Sequence, residues 1–91
     1  MLSLIWRNGA LDDLDRIFGY IAEHDLQAAE RLQLAVQACA ERLPQHPFMY
    51  RTGRVPGTRE AIVHPNYILV YSVSVDCVYV LSLLHTRQLY P

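Results

Sequence analysis

The side chains able to do chemistry crowd into the second half of this chain: Arg51, Arg54, Arg59, His64, His85, Arg87 and Tyr90. Metal-free cleavage of a phosphoester needs a base for the attacking hydroxyl, cations for the developing negative charge and an acid for the leaving oxygen. A histidine titrating near its ordinary value of about 6.5 can fill either proton-transfer role. His85 with Tyr90 is therefore the sharpest catalytic pair, with Arg59 and Arg87 as its cations. The other chemistry open to these residues is recognition. A guanidinium is a planar fork suited to carboxylate or phosphate, and all the fixed cations here are arginines, with no lysine in the chain. Arg51, Arg54, Arg59 and Arg87, with Tyr67, form the candidate binding set.

Other groups have simpler structural readings. Asp12, Asp13 and Asp15 suit a helix N-terminus, where negative charge opposes the positive end of the dipole, and need no metal to explain them. His64 precedes Pro65 and belongs to a turn, while His24 and His46 face solvent in loops. Trp6 and Phe48 read as core or core-edge residues rather than a base-stacking platform. Cys39 falls in a helical pattern and Cys77 in a strand pattern, with spacing that supports neither a disulfide nor a zinc site. The stretch GRVPGTRE, residues 53–60, lacks the Gly-Lys-Ser/Thr ending of a phosphate loop and reads as a turn entering a strand. Gly53 and Gly57 there permit positive φ, and Pro56 fixes one torsion. Nothing in the pattern calls for a cofactor or a metal.

The elements that must position these residues follow from periodicity. LSLIWR, residues 2–7, is a short apolar strand ended by a turn at Asn8-Gly9. Leu11, Leu14, Ile17, Phe18 and Ile21 then recur at helical spacing. Asp25 caps a second helix with Ala29, Leu32, Ala35, Val36, Cys39, Ala40 and Leu43 on its apolar side, and Pro44 ends it. After a loop over 44–57 the period becomes that of strands: REAIV, NYILVYSV and CVYVLSLLH, joined by tight turns into a meander. Tyr67, Leu69, Tyr71 and Val73 share one face of the middle strand, and Ile68, Val70 and Ser72 share the other. The expected fold is one α+β domain over residues 1–91: an N-terminal strand, then an antiparallel helix hairpin packed on a twisted, mainly antiparallel sheet.

Composition bounds the partners. Of 91 residues, 52% are hydrophobic and 19% charged, which favours a packed globule over disorder. The net charge of −1 conceals a division. Up to Leu43 four arginines meet seven acids, whereas from Pro44 onward four arginines meet only Glu60 and Asp76. The longest apolar run, Val78 to Leu84, is too short to span a bilayer, and the N-terminus lacks the marks of a signal peptide, so a cytoplasmic, membrane-free location is expected.

The order strand, helix, helix, meander, together with GRVPGTRE, HPNYILVY and the closing HTRQLYP, resembles the RelE/ParE superfamily of toxins nearly end to end. The resemblance implies a toxin of a type II toxin–antitoxin pair, neutralised by an antitoxin that folds onto the helix pair and sheet. Such a pair represses its own promoter, touching operator DNA only through the antitoxin. It also implies one of two actions: RelE-like cleavage of messenger RNA on the ribosome, or ParE-like poisoning of DNA gyrase without catalysis. Nucleolytic members carry lysines in the strand that here reads REAIV, and an arginine where Ile68 follows Tyr67. Their absence, and a net charge poorly suited to docking on ribosomal RNA, favour the gyrase reading. A third possibility is a decayed toxin that acts only with its antitoxin in repression.

Overall fold

The computed structural model describes residues 2–87; Tyr90 lies outside the described residues. Strand β1 (Ser3–Trp6) leads into helices α1 (Asn8–His24) and α2 (Leu26–Arg42), followed by β2 (Arg51–Thr52), β3 (Thr58–His64), β4 (Tyr67–Val73) and β5 (Cys77–His85). The five strands form one sheet in the order β1-β5-β4-β3-β2. β1 runs parallel to β5 and the other neighbours are antiparallel. The helix pair and meander expected from periodicity are present. The two-residue β2, inside the stretch expected to be loop, is an addition.

The start of α1 differs from expectation. Asn8 and Gly9 are its first residues rather than a turn. Arg7, extended and donating its backbone N–H to the Val80 carbonyl at 2.9 Å, carries the chain from sheet to helix directly. Asp12, Asp13 and Asp15 consequently fall beyond the first turn, which holds no acid. Asp13 has another task. Pairing of β1 with β5 stops at Trp6 and Val80, which would leave the rest of the β5 edge bare. The Asp13 carboxylate accepts the Leu83 backbone N–H at 3.0 Å and so satisfies a donor on that buried edge. On its other edge β5 carries Leu81 as an extra residue, since Val70 pairs with Ser82 and Tyr71 with Val80. The cap of α2 is as read from sequence: the Asp25 side chain accepts from the Ala28 N–H at 3.0 Å.

The core lies between the helices and one face of the sheet. It joins Ile17 of α1 and Leu32, Val36, Cys39 and Ala40 of α2 to Ala61, Leu69, Tyr71, Val78, Val80 and Leu83. Tyr67 and Val73 complete the face of β4 assigned from alternation, so the expected facing is correct along the whole strand. Leu11 is the exception on the α1 stripe, standing substantially exposed. Fully burying one of these large aliphatic side chains contributes about 1.5–3 kcal/mol.

The segment between α2 and β2 is tied down by polar contacts to the core. The Tyr71 hydroxyl donates to the Pro47 carbonyl at 2.7 Å, and the Arg59 guanidinium donates to the Tyr50 carbonyl at 2.7 Å. Tyr50 sets its hydroxyl beside Arg42 at 3.3 Å and the Cys39 thiol at 3.7 Å, and its ring edge-on to Tyr71. The turn between β2 and β3 is closed by the Gly53 N–H donating to the Thr58 carbonyl at 2.8 Å and the Thr58 hydroxyl donating to the Val55 carbonyl at 2.6 Å. Gly57 has φ +84, as a left-handed turn position requires. Gly53 does not share that conformation, contrary to expectation. It is glycine because a Cβ there would run into the Thr58 hydroxyl.

Candidate functional site

Successive residues of a strand face opposite sides, and that alternation divides the arginines of GRVPGTRE. Arg59 lies opposite Tyr71 and faces the helix side. Glu60 lies opposite Arg51 and Val70 on the outer side of the sheet. There Arg51 bridges Glu60 at 2.9 Å, with a second contact from its Nε at 3.1 Å. Glu60 is the buried charged residue of the described chain, only 5% exposed, and its other oxygen accepts the Arg54 backbone N–H at 3.4 Å. Arg51 is thus engaged in neutralising a buried carboxylate. Arg51 and Arg59, read from sequence as members of one binding set, lie on opposite faces of the sheet.

Arg59 is held differently. One guanidinium nitrogen donates to the backbone carbonyls of Tyr50 and Phe48, at 2.7 and 3.4 Å, and the guanidinium lies 4.9 Å from the centre of the Phe48 ring. Phe48 is 66% exposed, which corrects its assignment to the core: it closes over a cation at the surface. Sequence pattern missed this partnership because eleven residues separate the two and no periodicity links them. A cleft of about 400 Å³ opens beside them, lined by Phe48, Val55, Pro56, Thr58, Arg59 and Val73 among others.

The catalytic candidates sit at the opposite end of β3 and β4. Tyr67 pairs with His85 across β4–β5, and their rings meet edge-on at 5.3 Å. His64 tilts against the same tyrosine at 5.8 Å. Arg16, Ile17 and Tyr20 of α1 join Tyr67 and His85 around a cleft of about 340 Å³; the two α1 polar residues were not foreseen as neighbours. His64 Nδ1 accepts the Asn66 backbone N–H at 3.0 Å, the turn role expected of it. His85 Nδ1 accepts the Arg87 backbone N–H at 3.1 Å, which places the ring proton on Nε2. Arg16 reaches Asp13 at 3.3 Å, so the cation of this cleft already meets a carboxylate. The Tyr90 half of the proposed pair lies outside the described residues. Among the described residues no group of three or more His, Cys, Asp or Glu side chains could hold a metal, and Cys39 and Cys77 are free thiols.

The outer face of the sheet is the third region. Ile68 lies between Ile62 of β3 and Leu84 of β5, forming an apolar ladder with Val70 beside Glu60. His85, next in sequence to Leu84, points to the helix side. A fourth region lies between the helices and β1: a groove of about 290 Å³ lined by Leu4, Trp6, Leu14, Phe18, Val36 and Ala40, with Gln33, Gln37 and Glu41 also contributing. Trp6 is at the core edge, as read from sequence.

A helix hairpin on a mixed sheet whose first strand joins parallel to the last is the toxin fold of the RelE/ParE superfamily. The solved structure of the chromosomal ParDE toxin–antitoxin system from P. aeruginosa superposes with a TM-score of 0.81 at 20% identity, covering 93% of this chain and 96% of that one. The YoeB/ParE toxin from Agrobacterium tumefaciens gives 0.66 at 16% identity, over 92% of this chain and 98% of that one. The family described as "ParE toxin of type II toxin-antitoxin system, parDE" matches residues 4–90, and the chain belongs to that family. Among its relatives are the putative toxin Y4kP of Sinorhizobium fredii, 34% identical over 87 residues that cover 94% of this chain and 90% of the relative. Toxin RelE2 of Caulobacter vibrioides is 30% identical over 89 residues, covering 98% and 100%.

Proposed function

We propose that this toxin arrests growth by binding DNA gyrase, without catalysis, and is neutralised by an antitoxin that folds onto it. The observation carrying this reading is the Ile62–Ile68–Leu84 ladder on the outer face of the sheet. By the family resemblance, nucleolytic members carry an arginine at the position of Ile68 and lysines in the strand that here reads REAIV. Phosphorane stabilisation needs donors within hydrogen-bond reach of the developing charge, and three aliphatic side chains supply none. His85 faces the other side of the sheet, with its Nδ1 already accepting a bond, so among the described residues this acid–base candidate is separated from a phosphate laid over the ladder.

The solved ParDE system supports the antitoxin half of the proposal. The groove between β1 and the helix pair has the character such a partner needs. Its apolar floor of Leu4, Trp6, Leu14 and Phe18, edged by glutamines, suits the apolar stripe of an amphipathic helix. Arg54 and Arg87 remain candidate contacts for acids of the antitoxin or of gyrase, and operator DNA would be met only through the antitoxin.

Induction of the chain in cells without the antitoxin tests the proposal, with plasmid supercoiling and messenger integrity followed in parallel. We expect growth arrest, loss of negative supercoiling and intact messenger, all reversed by co-induction of the antitoxin. Cleaved messenger with normal supercoiling would assign the RelE-like activity, and growth without arrest would mark a toxin that retains only its antitoxin-binding role.

A further inference from the structure

We propose that the cleft beside the β2–β3 turn is a docking site for an acidic, apolar-flanked segment of a partner protein, with Arg59 receiving the carboxylate and Phe48 the apolar neighbour. The inference rests on the reading that this toxin works through protein contacts, and it locates one of them.

Charge is the first ground. Between Pro44 and Val75 the chain has Arg51, Arg54 and Arg59 against the single acid Glu60, and that acid is buried on the outer face against Arg51. Arg59, on the other face, has no carboxylate within ion-pair distance among the described residues. Its two carbonyl bonds orient the guanidinium and use one of its three nitrogens, but they do not cancel its charge. A partner's carboxylate would complete the site with the paired, planar bonds that guanidinium favours.

The second ground is shape. The cleft, of about 400 Å³, has room for a carboxylate side chain and one apolar neighbour. Its walls are apolar at Phe48, Val55, Pro56 and Val73, and Phe48 stands 66% exposed instead of joining the core. Rigidity is the third ground. The turn is closed by Gly53 to Thr58 and Thr58 to Val55 bonds, and Arg59 is clamped to the 48–50 backbone, so little freedom remains to be lost on binding. A nucleic acid is the poorer fit, because binding a phosphate chain takes several cations along a track and these walls are mostly apolar.

The test uses the intact isotope-labelled toxin and a synthetic peptide of repeated Glu-Leu pairs, its Gln-Leu twin, and inorganic phosphate, followed by NMR and fluorescence anisotropy. The Glu-Leu peptide should bind saturably, with the largest shifts at Phe48, Gly57, Thr58 and Arg59, and at least about tenfold more tightly than the Gln-Leu twin. Phe48→Ala, at an exposed position, should weaken binding about tenfold without altering the melting temperature, and Arg59→Lys should weaken it similarly. Arg51→Lys should leave it unchanged. Equal affinity for the two peptides, shifts centred elsewhere, or displacement by millimolar phosphate would overturn the proposal. None of these readouts involves gyrase, so failure here would leave the gyrase reading standing, and failure of that reading would leave this site standing.

Discussion

Arg51 and Glu60 show how one buried charge determines what an exposed cation is for. Glu60 is 5% exposed, and Arg51 and the Arg54 N–H meet its two oxygens. Arg51→Ala should therefore lower unfolding stability by about 1–3 kcal/mol in urea titration, the usual cost of orphaning a buried polar group. Adding Glu60→Gln should recover more than half of that loss, because it removes the unpaired charge. An unchanged midpoint in the single variant would show that the bridge contributes nothing. Tyr71 makes a second residue-scale prediction. Burial pushes its phenol above the ordinary 10.0, with Arg59 pulling partly back, and burial pushes the Cys39 thiol above 9.0. Both folded groups thus prefer to stay protonated. The stability from that preference is fully present below pH about 9 and is lost as pH climbs through the raised folded values. Tyr71→Phe should cost about 1 kcal/mol at neutral pH through the lost Pro47 bond and should flatten the upper part of the alkaline decline. A decline equally steep in the variant would contradict the assignment.

At the scale of elements, Asp13 links α1 to the sheet edge that β1 leaves uncovered. Asp13→Ala should destabilise by about 1–3 kcal/mol and accelerate hydrogen exchange at the Leu83 amide, whereas Asp13→Asn, which keeps an acceptor, should cost less. Exchange at Leu83 unmoved by the alanine change would disprove the link. This contact also marks where reading the sequence ran out. Period-two and period-three-to-four patterns identified the helices, the meander and the facing of Tyr67, Leu69, Tyr71 and Val73, because burial of a face repeats along an element. The Asp13–Leu83 bond joins residues 70 apart and leaves no periodic trace. The same holds for β2, whose two residues are too few to show alternation, and for the stacking of Arg59 on Phe48. Asn8-Gly9 misled for a related reason: a turn-forming pair was judged locally, while the bond from Arg7 to Val80 launches the helix from the neighbouring strand. The candidate site was legible as a list of arginines and histidines. Its division between two faces and two ends of the sheet follows from register, which composition does not carry.

At the scale of the whole molecule, helices cover one face of the sheet, and Ile62, half-exposed, leads a row through the buried Ile68 to Leu84 on the other; the proposed reading takes that aliphatic row as unsuited to RNA cleavage. With a net charge of −1, the chain also lacks the long-range attraction that draws basic proteins to ribosomal RNA. On the proposed reading, recognition falls to local features, the turn cleft and the β1–helix groove, and toxicity to contact with a protein target. His85 is given no catalytic part, so His85→Ala, if it folds, should retain toxicity. The most direct measurement adds the purified toxin to gyrase with relaxed plasmid and ATP, beside translating ribosomes loaded with a defined messenger. The account predicts that supercoiling is blocked while the messenger stays whole; messenger cut on the ribosome with supercoiling unimpaired would contradict it.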